Sequence, residues 1–212
     1  MEDLFARMET REVLGPGAVL LHGFALPDED AILPALEDVI VAAPFRHMTT
    51  PGGYRMSVAM TNCGDAGWVT DRRGYRYSSA DPDTGRPWPP MPDILRTLAE
   101  TAAREAGYPA FSPDSCLVNR YEPGAKMALH QDKDERDFSN PIVSVSLGLP
   151  ATFQFGGAKR GDPVARHVLR HGDVVVWGGP SRLFYHGILA LKEGMHERLG
   201  RVRLNLTFRK SL

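Results

Sequence analysis

The sequence predicts an α+β chain with a mainly β core, a sandwich or jelly roll preceded by helical segments. Three observations carry that expectation. From Cys116 onward, about eight short apolar runs follow one another with glycine or proline between most of them, as in an all-β core. Ahead of them, two stretches place apolar residues at helical intervals. The 17 prolines and 21 glycines among 212 residues call for many turns and leave little room for long helices.

A chain of 212 residues suits a single domain, residues 1–212, with a core that needs no covalent staples. Hydrophobic content of 42% and charged content of 24% fit a soluble globular protein. A formal net charge of −1 excludes a global basic field, so any contact with nucleic acid is local, short and salt-sensitive. Cys63 and Cys116 stand in no metal-type spacing and outline no disulfide framework, which fits a reducing cytoplasm. The first twenty residues, with Glu2, Asp3, Arg7, Glu9, Arg11 and Glu12 scattered through them, carry no charged-then-apolar leader pattern. No apolar run approaches the ~18 residues needed to cross a bilayer. A soluble, cytoplasmic protein without membrane contact is expected.

Residues 17–24, Gly17 to Phe24, read as a buried strand. Pro27-Asp28-Glu29-Asp30 supplies helix-start chemistry, and Ile32, Leu36, Val39 and Ile40 carry the helix through Val41. Residues 44–92 differ in character. Pro51-Gly52-Gly53, Gly64, Gly67, Gly74, Asp81-Pro82, Pro87 and Pro89-Pro90 alternate there with Tyr54, Trp68, Tyr75, Tyr77 and Trp88. That punctuation predicts short hairpins and loops rather than packed core. Over 93–106, Ile94, Leu95, Leu98 and Ala102 make an amphipathic helix, with Asp93 as its cap and Gly107 as its stop. Strands are then predicted at 115–121, 127–130, 142–149, 152–155, 166–169, 173–177, 183–186 and 201–209.

The chemistry centres on Leu129-His130-Gln131-Asp132 together with His186. A histidine and a carboxylate two residues apart on a strand share a face, and a second histidine can return on a neighbouring strand. Two imidazoles and one carboxylate leave coordination positions open, a set that suits non-haem Fe(II) doing oxygen chemistry. His-x-Asp pairs are common, however, and a solvated strand end is the plainer alternative for the motif taken alone.

The last strand alternates cleanly. Arg203, Asn205, Thr207 and Arg209 fall on one face, and Leu204, Leu206 and Phe208 on the other. The polar face either meets water or looks into a barrel lumen that holds a charged ligand. In the second case Arg203 and Arg209 could grip the two ends of a small dicarboxylate, because a guanidinium pairs with carboxylate through two bonds. Asn119 and Tyr121, two residues apart on their own strand, could add neutral hydrogen bonds.

Longer motifs join these positions. They are Asn119-Arg120-Tyr121-Glu122-Pro123-Gly124-Ala125-Lys126, His130-Gln131-Asp132-Lys133-Asp134-Glu135 and Ile142-Val143-Ser144-Val145-Ser146-Leu147-Gly148. His171-Gly172-Asp173-Val174-Val175-Val176-Trp177-Gly178-Gly179, Ser181-Arg182-Leu183-Phe184-Tyr185-His186-Gly187 and the closing Arg203 to Arg209 follow in order. With Thr50 to Tyr54 and Met56 to Gly64, this series resembles the AlkB family of Fe(II)/2-oxoglutarate-dependent nucleic-acid dealkylases. The resemblance covers most of the chain and is nearest to the bacterial founding member.

The resemblance implies a double-stranded β-helix (a jelly roll) over 115–210, with N-terminal helices and a nucleotide-recognition lid over 44–92. It implies Fe(II) bound by His130, Asp132 and His186, and 2-oxoglutarate bound by Asn119, Tyr121, Arg203, Asn205 and Arg209. O2 is the other co-substrate, and the expected products are succinate, CO2, formaldehyde and a repaired base. The implied substrate is alkylated DNA, single strands before duplex, carrying 1-methyladenine or 3-methylcytosine. A flipped cationic ring wants aromatic stacking and a carboxylate. Trp68, Tyr75 and Asp134 are assigned to the base by that match, with Arg160 as a further contact. Tyr75 and Tyr77, separated by Arg76, would offer an aromatic and cationic strip to a short backbone segment.

A monomer is expected. RNA or a small molecule with the same chemistry is the alternative substrate. A non-catalytic jelly roll with structural zinc is the alternative from another class, but such a site wants four protein ligands and only three converge. Trp88 and Trp177 are read as structural, His171 as a hydrogen-bonding turn residue, and Lys133 and Arg182 as lying near the mouth of the site.

Overall fold

The computed structural model describes residues 10–212. Glu2, Asp3, Arg7 and Glu9, read above for the absence of a leader, lie outside the described residues. Strand β1 (Arg11–Gly15) turns into β2 (Ala18–Leu21), followed by helix α1 (Glu29–Ala42). Next come β3 (Ala59–Gly64), the hairpin β4 (Gly67–Asp71) and β5 (Gly74–Ser78), and helix α2 (Asp93–Glu105). The remaining strands are β6 (Ser115–Tyr121), β7 (Met127–His130), β8 (Ile142–Gly148), β9 (Ala151–Phe155), β10 (Ala165–Leu169), β11 (Val174–Trp177), β12 (His186–Ile188) and β13 (Arg203–Arg209).

The strands form a seven-stranded sheet in the order β1-β2-β11-β8-β13-β6-β3 and a four-stranded sheet in the order β10-β9-β12-β7. These make the jelly roll, and β4-β5 stand apart as a third, two-stranded sheet. Strand period explains the layering. Val143, Val145, Leu147, Leu204, Leu206 and Phe208 face away from the smaller sheet and pack with Ile32, Leu36, Leu95 and Leu98 of the two helices. The opposite faces carry Leu20, Leu117, Tyr121, Val175 and Trp177, which meet Phe153, Phe155 and Ile188 of the smaller sheet. Arg203, Asn205, Thr207 and Arg209 therefore look between the sheets, and every residue of β13 is buried. The sharp exit from β8 needs Gly148, whose φ is +88° and where a Cβ would lie 2.4 Å from the Val202 carbonyl oxygen.

Several expectations need correction. Strand β1 has no counterpart in the sequence reading, because Arg11, Glu12 and the 72%-exposed Val13 give an edge strand no apolar signature. Residues 44–92 are not all hairpin and loop: β3 pairs with β6 in the main sheet, and Ala59 through Cys63 are buried. Asp93 opens α2 from inside its first turn, and Pro92 holds the cap position without a side-chain bond. The strand expected at 183–186 begins only at His186, because a single helical turn at Gly179–Ser181 takes up the preceding chain. No helix among the described residues is long and apolar enough to cross a membrane.

Candidate active site

Between the sheets lies a cavity of about 350 Å³. His130 at the end of β7 and His186 at the start of β12 are direct cross-strand partners, which sets their rings 4.4 Å apart. Asp132 arrives differently from the expected strand alternation. β7 ends at His130, so Asp132 sits on the loop over residues 131–141. Even so, its Oδ1 is 3.5 Å from His130 Nε2 and its Oδ2 is 3.8 Å from His186 Nε2. The three ligand atoms lie within 4.8 Å of one another.

The imidazoles are oriented for ligation. His130 Nδ1 stands 2.8 Å from the Ala128 carbonyl and His186 Nδ1 stands 3.0 Å from the Phe184 carbonyl. A carbonyl only accepts, so each Nδ1 carries a proton and Nε2 is the nitrogen each ring turns toward the cavity. Burial, with His130 adding to it, pushes His186 down to about 4, which keeps that ring neutral at pH 7. Burial also opposes charge on His130, but the Asp132 carboxylate outweighs it and raises this ring above the usual imidazole value. For Asp132 burial works upward, while Arg209 and the two imidazoles hold the carboxyl well below its ordinary range.

One wall of the cavity comes from β13 and β6, whose register places Arg203 opposite Tyr121 and Asn205 opposite Asn119. The Arg203 guanidinium lies 5.0 Å from the centre of the Tyr121 ring, and its Nη2 donates to Ser146 Oγ at 3.0 Å. Asn205 Nδ2 donates to Ser144 Oγ at 2.8 Å and to the Val145 carbonyl at 3.0 Å. Arg203 Nε and Nη1, Asn119 Oδ1 and Arg209 Nη1 are buried without a protein partner among the described residues. The two arginines are not equivalent, as a two-ended clamp would have made them. Arg209 Nε and Nη2 both donate to Asp132 Oδ2, at 3.1 and 2.6 Å, and Nε lies 3.3 Å from Glu135 Oε1.

The β4-β5 hairpin closes the mouth. Trp68 and Tyr75 stack with centroids 5.6 Å apart and planes 18° from parallel, and Trp68 Nε1 donates to Asp134 Oδ2 at 2.7 Å. Arg160 lines the same cavity and lies over the Tyr185 ring at 5.0 Å. The expected strip over Tyr75, Arg76 and Tyr77 does not form. Tyr77 turns inward and its hydroxyl donates to Glu135 at 2.7 Å, while Arg76 pairs with Asp71 at 2.7 Å.

Arg182, read as lying near the mouth, is buried: its side chain is 3% exposed and donates to the Asp132 carbonyl. Lys133 is exposed. Trp177 proves more than structural, because it lines the cavity and packs 4.9 Å from the His186 ring. Trp88 is structural, donating to the Ser78 carbonyl at 2.9 Å. His171 is the turn residue expected, accepting the Gly148 N–H at 2.8 Å.

The matching model of the 2OG-Fe(II) oxygenase superfamily spans residues 17–209. The chain is 59% identical to the alpha-ketoglutarate-dependent dioxygenase AlkB of Escherichia coli K12 over 212 residues, all of this chain and 98% of that protein. The chain belongs to the AlkB family of 2OG-Fe(II) oxygenases. A solved structure of OsALKBH1 superposes on this AlkB-family protein with a TM-score of 0.81 at 32% identity, covering 94% of this chain and 99% of that one. An Arabidopsis thaliana relative named DNA N(6)-methyladenine demethylase ALKBH1D is 30% identical over 93% of this chain and 50% of its own length. As an AlkB-family oxygenase the protein uses Fe(II) and 2-oxoglutarate, and the His130, Asp132 and His186 cluster is its candidate iron site.

Sequence reasoning missed the supports of this AlkB-family site. Asn62 in β3 is fully buried, donates from Nδ2 to the Trp68 carbonyl at 3.1 Å and accepts the Trp68 N–H at 3.0 Å. It holds both backbone groups of the residue that walls the mouth. Asn62→Ala would leave them without partners and should cost about 1–3 kcal/mol. Urea unfolding should show that loss, and the KM for alkylated oligonucleotide should rise while 2-oxoglutarate affinity stays unchanged. An unaltered KM would mean Trp68 holds its place without Asn62.

Proposed function

We propose that the protein repairs N-alkylated bases in DNA by oxidative dealkylation. In this reading it takes 1-methyladenine and 3-methylcytosine from single strands before duplex and releases formaldehyde, succinate and CO2. One observation carries the reading: a single cavity has the three-ligand cluster at its floor and a Trp68–Tyr75 wall with the Asp134 carboxylate at its mouth.

The residues fit the cofactors. Two Nε2 lone pairs and a carboxylate held ionised are the donors Fe(II) takes with positions to spare. Beside them, the buried partnerless Nε and Nη1 of Arg203, Nη1 of Arg209 and Oδ1 of Asn119 suit a small dicarboxylate. In this assignment His130, Asp132 and His186 hold iron, and Asn119, Tyr121, Arg203, Asn205 and Arg209 hold 2-oxoglutarate. When bound, Fe(II) and 2-oxoglutarate supply the oxidation of an N-alkyl C–H bond by O2, coupled to decarboxylation of the keto acid.

The rest of the work falls to the chain. An N1-methylated adenine or N3-methylated cytosine is cationic and already unpaired, so extruding it costs less than extruding a sound base. Trp68 and Tyr75 offer the extruded ring an aromatic face, Asp134 offers it a negative charge, and Arg160 adds a further contact. Arg209 keeps Asp132 ionised, and the Trp177 and Phe153 rings beside His186 exclude bulk water from the reacting end. The net charge of −1 is consistent with short, local contact with a single strand. The Arabidopsis relative's name, a DNA demethylase, supports nucleic acid as the partner class. The same reading takes the chain as one catalytic unit, a cytoplasmic monomer whose lid is the part of 44–92 outside β3.

The test is mass spectrometry of methylated DNA and RNA oligonucleotides after incubation with Fe(II) and 2-oxoglutarate. The expected result is a net loss of one CH2, about 14 Da, from each 1-methyladenine and 3-methylcytosine, with roughly one succinate per methyl removed, as coupled alkyl oxidation requires, and with DNA favoured over RNA. Succinate formation indifferent to every alkylated oligonucleotide would overturn it.

A further inference from the structure

Arg182 is a buried cation outside the expected ligand set, and the hydrogen bonds of its side chain all go to one segment. Nη1 donates to the Asp132 carbonyl at 2.7 Å, Nε to the Asn140 carbonyl at 3.0 Å and Nη2 to Glu135 Oε2 at 3.0 Å. The guanidinium also lies 5.3 Å from the centre of the Phe138 ring. One planar group thus spans the loop over 131–141 from its start to its end. Arg182 itself belongs to the segment leading into His186, and Gln131 returns the tie by donating to the Leu183 carbonyl at 2.6 Å. The captured carboxylate is shared further, since Glu135 also accepts from Tyr77 of the lid hairpin at 2.7 Å and faces Arg209 Nε at 3.3 Å.

The clamped loop carries two carboxylates with different tasks. Asp132 points at His130 and His186, and Asp134 accepts from Trp68 at the mouth. We propose that Arg182 is a positioning residue for both halves of the site: by fixing the 131–141 loop it sets Asp132 for the metal and Asp134 for the alkylated base. Metal affinity and lesion recognition then depend on one guanidinium that touches neither ligand. The lesion half of this inference rests on the proposed function, and the metal half does not. A lysine cannot replace the arginine, because one ammonium has no planar fork to reach three acceptors on different parts of a loop.

Arg182→Lys, which keeps the charge beside Glu135, and Arg182→Met test the proposal in the full chain. Anaerobic titration with Fe(II), and with Co(II) as an oxygen-stable probe, reads metal affinity in the presence of 2-oxoglutarate. Both variants should bind metal about 10- to 100-fold more weakly, the usual scale for losing the group that orients a ligand. The KM for a 3-methylcytosine oligonucleotide should rise in parallel, and amide hydrogen exchange should quicken across 131–141 while β8 and β13 keep wild-type protection. A purely structural role would lower the melting temperature and leave the metal affinity of the folded protein unmoved. Folded variants with wild-type metal affinity overturn the proposal, as does a metal loss without a KM change. Should Arg182→Met fail to fold, Arg182→Lys decides. If the wild-type protein binds metal but ignores every alkylated oligonucleotide, the proposed function fails, and the metal and exchange measurements still judge the clamp.

Discussion

His130→Ala is expected to abolish the formation of succinate and formaldehyde while leaving the fold intact. Losing one of three ligands leaves a histidine and a carboxylate, too few to keep iron in place under working concentrations. Metal chemistry supplies several kcal/mol of the rate enhancement, so turnover should fall by about 10³-fold or more. Stability should barely move. The His130 side chain is 39% exposed and closes the end of β7, and among the described residues its ring donates to the nearby Ala128 carbonyl and faces Asp132 at 3.5 Å. Circular dichroism and a thermal melt check the fold, and coupled succinate and formaldehyde assays check the chemistry. Near wild-type turnover in this variant would end the metal assignment.

Arg209→Met should have the largest effect on stability. The side chain is buried, and its removal leaves Asp132 Oδ2 without its two closest donors and Glu135 with one cation, Arg182, in place of two. Breaking one partner from a buried ion pair costs about 3–5 kcal/mol. The pH dependence gives the mechanism a sign. In the wild type Arg209 holds Asp132 well below the ordinary carboxylate value. That stabilisation is fully present above the unfolded value near ~3.9 and is lost only as pH falls through the lower folded value. In the variant, burial acts on Asp132 without its main counterweight and raises the carboxyl, so acidification favours the folded state until the group is protonated. Urea unfolding at pH 7 and pH 5 should therefore show a gap between the two proteins that narrows at the lower pH. A variant as stable as wild type at pH 7 would show that the pair carries no structural weight. Activity should fall with stability, because the same change frees Asp132 from its orientation.

Much of this site was readable because strand period is local. The alternation Arg203, Asn205, Thr207, Arg209 against Leu204, Leu206, Phe208 gives the two faces of β13 directly. Whether the polar face meets water or a cavity is a non-local fact, and only the smaller sheet across the gap decides it. His130 and His186 were legible as neighbours on adjoining strands, whereas the position of Asp132 was inferred on a ground the fold does not use. Arg182 and Glu135 were out of reach. A charged residue in a polar run, as Glu135 is, or just after a turn, as Arg182 is, reads as surface, and their burial depends on Tyr77, 58 positions from Glu135, and on each other. Strand β3 hid for a related reason. Its Thr61 and Asn62 look like loop residues, yet they satisfy the Ala43 carbonyl and the Trp68 backbone from inside the sheet.

Strand β13 is the last in chain order but lies between β8 and β6, near the middle of the main sheet. Among the described residues it is the only link between the β1-β2-β11-β8 and β6-β3 halves of that sheet. Four of its seven residues, Arg203, Asn205, Thr207 and Arg209, line the cavity that also holds His130, Asp132 and His186. One strand thus serves both ends: its backbone joins the two halves of the main sheet, and its Arg209 holds the Asp132 carboxylate.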